Sequence, residues 1–147
     1  MSGPEFRLRF RVQAQFSEVG RLRERLGTFL DRSGPHFDDR SRLELTLALD
    51  EAANNIVEHA YSGNGGVIDV EYETHGDDLV IRLWDNGIQR AATDCIGLPE
   101  GTAGESGMGT NIMRATFSSL SYERDGERNL LILRRGLDDQ SWTGSDA

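Results

Sequence analysis

Between Leu43 and Tyr61 the chain reads LELTLALDEAANNIVEHAY, an apolar-rich segment interrupted at steps of four by Glu51, Asn55 and His59. On an α-helix a step of four turns the chain back by only about 40°, so these side chains form one stripe on a helix whose other faces are Leu, Ala, Ile and Val. A carboxylate and a carboxamide facing inward cost free energy unless something pairs with them, and a metal ion with a phosphate ligand would do so. The competing reading, a polar stripe that merely faces solvent, fits the apolar surroundings less well. The fold is expected to be organised around this helix.

With 147 residues the chain fits one domain with a real core. Its formal net charge of -9 argues against duplex nucleic acid or an anionic membrane as direct partner, since both reward clustered basic residues. A single nucleotide stays allowed, because backbone amides and a metal can hold phosphate in an acidic protein. All sixteen basic residues are arginine, which excludes a Walker A loop, a protein-kinase-type catalytic lysine and Schiff-base chemistry. Cys95 is the only cysteine, so no intramolecular disulfide is expected. The start MSGPEFRLRF lacks a signal-peptide core and no run approaches membrane-spanning length, so a cytoplasmic location is expected.

In chain order, Leu8, Phe10 and Val12 alternate with arginine and predict a half-buried strand over Arg7 to Gln13, at an edge or opening the sheet. A helix follows from an N-cap at Ser17, with Val19, Leu22, Leu26 and Phe29 on one face, to Ser33-Gly34-Pro35. Arg21, Arg23 and Arg25 lie mostly off that face and read as solvated. Asp38 and Asp39 supply the cap and first-turn acid of the organising helix, which should run to about Ala60. VIDVEYE and DLVIRLWD alternate with period two around the turn His75-Gly76-Asp77-Asp78, which predicts an antiparallel hairpin. Ile88 to Ser106 has no sustained periodicity and reads as a long loop of the kind that is usually functional or disordered. A Gly-x-Gly leading into a short helix, then LSYERD and NLLILRR as two strands, complete a domain of residues 1–136. The tail 137–147 is expected to be disordered.

Three constellations could carry chemistry. Glu51 can take a proton from a hydroxyl, and the carboxamide oxygen of Asn55, one turn on, can ligate Mg²⁺. Asp85-Asn86-Gly87 ends an apolar strand; it is either an ordinary turn or a carboxylate placed to accept from an exocyclic amine such as adenine's, with glycine letting the base approach. Gly104-Glu105-Ser106-Gly107-Met108-Gly109-Thr110 lies before a helix, whose free amides and dipole favour phosphate. That Gly-x-Gly does not follow a strand directly, so a dinucleotide-binding Rossmann reading fails. His36 and His75 form no metal cluster, Cys95 has no nearby histidine, and His59 is read as capping or packing the helix end.

In this order the three constellations resemble the GHKL ATPase superfamily with its Bergerat fold. The closer likeness is to the anti-sigma regulatory serine/threonine kinases. DEAANNIVEHAY at 50–61 looks like their N-box helix, WDNG at 84–87 like the first glycine box and SGMGTNIM at 106–113 like the second. The resemblance implies an α+β, two-layer sandwich with a mixed, mostly antiparallel sheet covered on one face by helices, and a histidine-kinase-like ATPase domain over residues 1–136. It implies ATP and Mg²⁺ as cofactors, Glu51 as general base, Asn55 as Mg²⁺ ligand, and Asp85 as acceptor of the adenine amine. Gly87 would be the backbone neighbour of Asp85, and Gly107, Met108, Gly109 and Thr110 would meet the nucleotide at the lid hinge. The sequence departs from the family pattern where Ile88-Gln89-Arg90-Ala91 follows the first glycine box, where Thr110-Asn111-Ile112-Met113 replaces a leucine-rich helix, and where Asn129 stands in place of a threonine that often precedes the last strand.

The function so implied is an ATP-dependent protein serine/threonine kinase of the partner-switching type, which sequesters a sigma factor or similar client and phosphorylates a small antagonist protein. A homodimer is implied as well. The rival readings are a nucleotide-binding or degenerate module that sequesters partners without phosphoryl transfer, and a stand-alone ATPase module serving a histidine kinase.

Overall fold

The computed structural model describes residues 6–33, 37–60, 65–87 and 107–136, except the side chains at 59, 60 and 107–111. The expected loop from Ile88 to Ser106, the tail from 137, His36 and Cys95 lie outside the described residues. In chain order the elements are β1 (Phe6–Gln13), α1 (Phe16–Ser33), α2 (Asp39–Asn55) running on into one π-helical turn (Ile56–Ala60), β2 (Val67–His75), β3 (Asp78–Asp85), α3 (Gly107–Thr116), β4 (Ser119–Asp125) and β5 (Arg128–Gly136). The described strands form one sheet in the order β1-β2-β3-β5-β4, and every pairing is antiparallel. The two-layer α+β sandwich expected from the sequence is present.

The period-two strands turn Ile68, Val70 and Tyr72 of β2 and Leu79, Ile81 and Leu83 of β3 inward, where they are buried against the apolar stripes of α1 and α2. Helix α1 starts at Phe16, so Ser17 sits within its first turn rather than capping it; the N–H of Glu18 instead reaches the carbonyl of Gln15 at 2.8 Å. Helix α2 is capped as expected, with the Asp38 carboxylate accepting from the N–H of Ser41 at 2.8 Å. Tyr72 stands at the centre of the core, its hydroxyl donating to the Leu22 carbonyl at 2.7 Å and its ring against Phe10 and Phe29. Burial pushes its phenol well above the ordinary range.

The other sheet face is covered by a charge lattice. Register sets Arg7 opposite Glu73, Arg9 opposite Glu71 and Arg11 opposite Asp69, and each arginine bonds the carboxylate it faces. Arg82 on β3 donates to Glu71 at 3.0 Å and to Glu73 at 2.7 Å. The arginine stems lie over the sheet and leave Glu71 and Glu73 only 2% and 4% exposed. Burial alone would raise the Glu73 carboxyl, but bonds from His75, Arg82 and Arg7 outweigh it and hold it at about 2, below its ordinary 4.5. A depressed carboxyl contributes stability that is full above about pH 4.5 and is lost as the pH falls through about 2. Between those limits the melting temperature should drop with acidification, and the drop should be shallower in Glu73→Gln, whose amide does not titrate. Parallel pH profiles for the two proteins would contradict this account.

Arg135 joins three elements near one end of the sheet. From β5 it donates to the carbonyl of Thr116 at 2.8 Å, at the end of α3, and to the Ser41 hydroxyl at 3.1 Å, at the start of α2. Glu44 lies 3.5 Å from the same guanidinium, and the Phe37 ring lies under it. The C-terminal end of α3 is thereby fixed beside the N-terminal end of α2.

Candidate functional site

Glu44, bonded to Arg135, marks the flank of α2 that faces α3. Glu51 and Asn55 follow it by seven and eleven residues, which on a helix returns each to within about 20° of the same direction. Both therefore lie on the α3 flank, one turn apart. Since α3 packs along α2 and ends beside Ser41 and Glu44, it runs back toward Asn55 and directs its Gly107 end there. The two glycines do not precede the helix as the sequence reading had it. The helix begins on Gly107, so Gly107, Met108, Gly109 and Thr110 form its first turn, the one whose amides lack intrahelical partners. The α-helical pattern of α2 ends on Asn55, and the π-helical turn begins at Ile56. Such turns occur often at functional sites.

Asn55 is only 9% exposed, yet among the described residues its side chain makes no hydrogen bond or ion pair, and that of Glu51, half-buried beside it, makes none either. Most buried polar groups have a partner, so a carboxamide left this way within a packed helix calls for a ligand. Its atoms are not sealed off. This donor set fits Mg²⁺, which takes one or two protein oxygens together with phosphate oxygens and water rather than a full protein cage. Among the described residues no group of three His, Cys, Asp or Glu side chains could hold a metal ion by itself.

The chain leaving the π-helical turn enters β2, and Ile68 near the start of β2 pairs with Asp85 at the end of β3. Asp85 is 4% exposed; its Oδ1 accepts from the N–H of Gly87 at 2.9 Å and from Nδ2 of Asn129 at 2.8 Å. Its Oδ2 makes no hydrogen bond and is not sealed off, which leaves one carboxylate oxygen able to accept from a ligand. Asn129, opposite Asp85 in the β3–β5 register and fully buried, also reaches the carbonyl of Gly87 at 3.3 Å and accepts from Arg124 at 2.8 Å. It thus fixes both the carboxylate and the glycine backbone. Sequence reasoning marked Asn129 only as a departure from a family pattern; the clue available was a lone carboxamide opening the apolar run NLLIL.

The C-terminal end of α2, the last residues of β3, the first of β5 and the first turn of α3 thus gather at one end of the sandwich. Glu51 and Asn55, Asp85 and Gly87, Asn129, and the Gly107–Thr110 turn come from these four places. Nothing is described of the His59 side chain. Among the described residues, a space of about 400 Å³ opens on the outer sheet face beside Trp84 and another of about 510 Å³ between β1 and α1. Neither contains any of the site residues named above.

A serine/threonine-protein kinase BtrW of Bordetella bronchiseptica is 33% identical over 99 residues, which cover 63% of this chain and 70% of that protein. An anti-sigma F factor of Clostridium kluyveri is 25% identical over 114 residues, covering 75% and 79%. A serine-protein kinase RsbW of Bacillus cereus is 23% identical over 136 residues, covering 87% and 84%. Residues 12–135 match the model of the histidine kinase-like ATPase domain, so the chain belongs to that family.

Proposed function

We propose that this protein is an ATP-dependent serine/threonine kinase of the partner-switching type, which sequesters a sigma factor or similar client and phosphorylates a small antagonist protein. The observation that carries the reading is the pair of inward polar groups on α2, Glu51 and Asn55, left without partners beside a helix N-terminus and an open carboxylate oxygen. The names of the relatives, serine kinases and an anti-sigma factor, point the same way.

In this reading Asp85 accepts a hydrogen bond from the adenine amine through Oδ2, with Asn129 holding the carboxylate in place and Gly87 letting the base lie close. The amides of the Gly107–Thr110 turn face the phosphates. Asn55 would hold Mg²⁺, which when bound neutralises phosphate charge in a chain that has no lysine to do so. Glu51 takes the proton of the incoming serine hydroxyl as its oxygen bonds to the γ-phosphorus, and the bond to the bridging oxygen breaks to release ADP. A homodimer and a cytoplasmic location belong to the same reading.

Titration calorimetry with ATP tests it. Wild type should bind ATP more tightly with Mg²⁺ than with chelator. Asn55→Ala should lose that difference, with affinity for Mg²⁺-ATP reduced about ten-fold or more, the loss of one good charge-assisted ligand. Affinity indifferent to Mg²⁺, or unchanged in Asn55→Ala, would remove Asn55 from the site.

A further inference from the structure

The chain sets sixteen arginines among twenty-five carboxylates, and nearly all of the described arginines have partners. Arg25 and Arg32 are the exceptions among the described residues. Neither makes a hydrogen bond or ion pair through its side chain, and the Arg25 guanidinium lies over the Phe10 ring, 5.1 Å from its centroid. Both stand on the rim of the cavity of about 510 Å³ between the first half of β1 and the last turns of α1. Its apolar wall is Phe6, Leu8 and Phe29, and Arg7 closes the rim; no carboxylate lines it. Phe6, 48% exposed, is one of the few large apolar side chains left open to solvent. The floor of the groove is an edge strand, since β1 pairs with β2 on one side and with no described strand on the other. In a chain of net charge -9, this is a local inversion of charge over an apolar surface beside unpaired backbone.

We propose that this groove docks an extended, acidic segment of a partner protein. The segment adds along the open edge of β1, sets an apolar side chain between Phe6, Leu8 and Phe29, and places carboxylates against Arg25 and Arg32. Charge selects this occupant over the two nearest rivals. A second copy would bring its own β1, FRLRFRVQ, which has three arginines and no acid to offer. The chain's own residues 137–147 carry Asp138, Asp139 and Asp146, but they leave β5 at Gly136, three strand positions from β1. Crossing the sheet takes about 14 Å before the rise to α1. Asp139, three residues on, extends at most about 11 Å, whereas Asp146, ten residues on, could reach but brings a single side-chain carboxylate to two arginines.

The groove also lies away from the nucleotide end. Phe6 pairs with Thr74, whereas Asp85 shares its rung with Ile68 and Val12, six residues along β1 and about 20 Å distant. Occupancy of the groove and binding of ATP are therefore separable.

The probe is a fluorescein-labelled nine-residue peptide in which aspartate alternates with leucine and phenylalanine, followed by anisotropy against the full chain at low salt. Wild type should bind it, the R25E/R32E double variant should bind at least about ten-fold more weakly, and a peptide with lysine for aspartate should not bind. Both arginines are exposed, so the variant should fold; R25Q/R32Q repeats the test without charge reversal, and ATP affinity should be unchanged in both. No binding by wild type, equal binding by both variants, or equal binding of the lysine peptide overturns the proposal. A peptide of residues 137–147 that binds more tightly than the probe hands the groove to the chain's own tail. Dimers in sedimentation that R25E/R32E dissolves would hand it to a second copy. Either result overturns the assignment to a partner.

Discussion

Glu51→Gln should leave ATP affinity within about two-fold of wild type and lower phosphoryl transfer to the antagonist protein by roughly two to four orders of magnitude, the usual share of a general base. Glutamine keeps the size of the side chain and its acceptor oxygen but cannot take up the serine proton. Because Glu51 is half-buried and makes no ion pair, the substitution breaks no native bond, so the fold and the melting temperature should hold. The measurement is transfer of label from γ-labelled ATP, beside a pull-down of client and antagonist. Transfer at the wild-type rate would end the general-base assignment. A wild type that binds ATP and its antagonist but transfers nothing would make the protein a sequestering module.

What the sequence could say about this site follows from how far apart its parts lie. Glu51 and Asn55 were legible because a helix brings residues four apart together, and an apolar setting makes a polar stripe conspicuous. Asp85 and Gly87 were legible as a strand end, since the turn at Gly87 closes on Asp85 two residues back. Asn129 was not, because its contact with Asp85 spans 44 positions and exists only through the β3–β5 register. Arg135 meets Ser41 across 94 positions, and nothing local marks it as the residue that ties α3 to α2.

The charge lattice shows a second limit. Alternation places Asp69, Glu71 and Glu73 on the face away from the core, which in an isolated strand means exposure. Burial to 2% for Glu71 comes from arginine stems on both neighbouring strands, and pairing partners are not written in the strand's own pattern. The start of α3 shows a third. Glycines usually mark the stretch outside a helix, yet here Gly107 and Gly109 open one. A first turn tolerates them because its amides are not yet committed to carbonyls, and small residues there leave those amides accessible.

Asp85→Asn should separate recognition of the base from support of the fold. The asparagine can keep its carbonyl oxygen where Oδ1 now accepts from Gly87 and Asn129, so the buried bonds survive and the melting temperature should change little. Its amide nitrogen then stands where Oδ2 was. A donor there faces the exocyclic amine of adenine, itself a donor, and the acceptor that the reading assigns to the base is gone. Leaving a buried donor unpaired costs about 1–3 kcal/mol, or roughly 5- to 150-fold in ATP affinity. Guanine presents a carbonyl at the position of that amine, so wild type should prefer ATP to GTP, and the variant should narrow or reverse the preference. A variant that loses ATP and GTP alike, together with several degrees of melting temperature, would mean that Asp85 serves the β3–β5 junction only. Equal binding of ATP and GTP by the wild type would take Asp85 out of base recognition altogether.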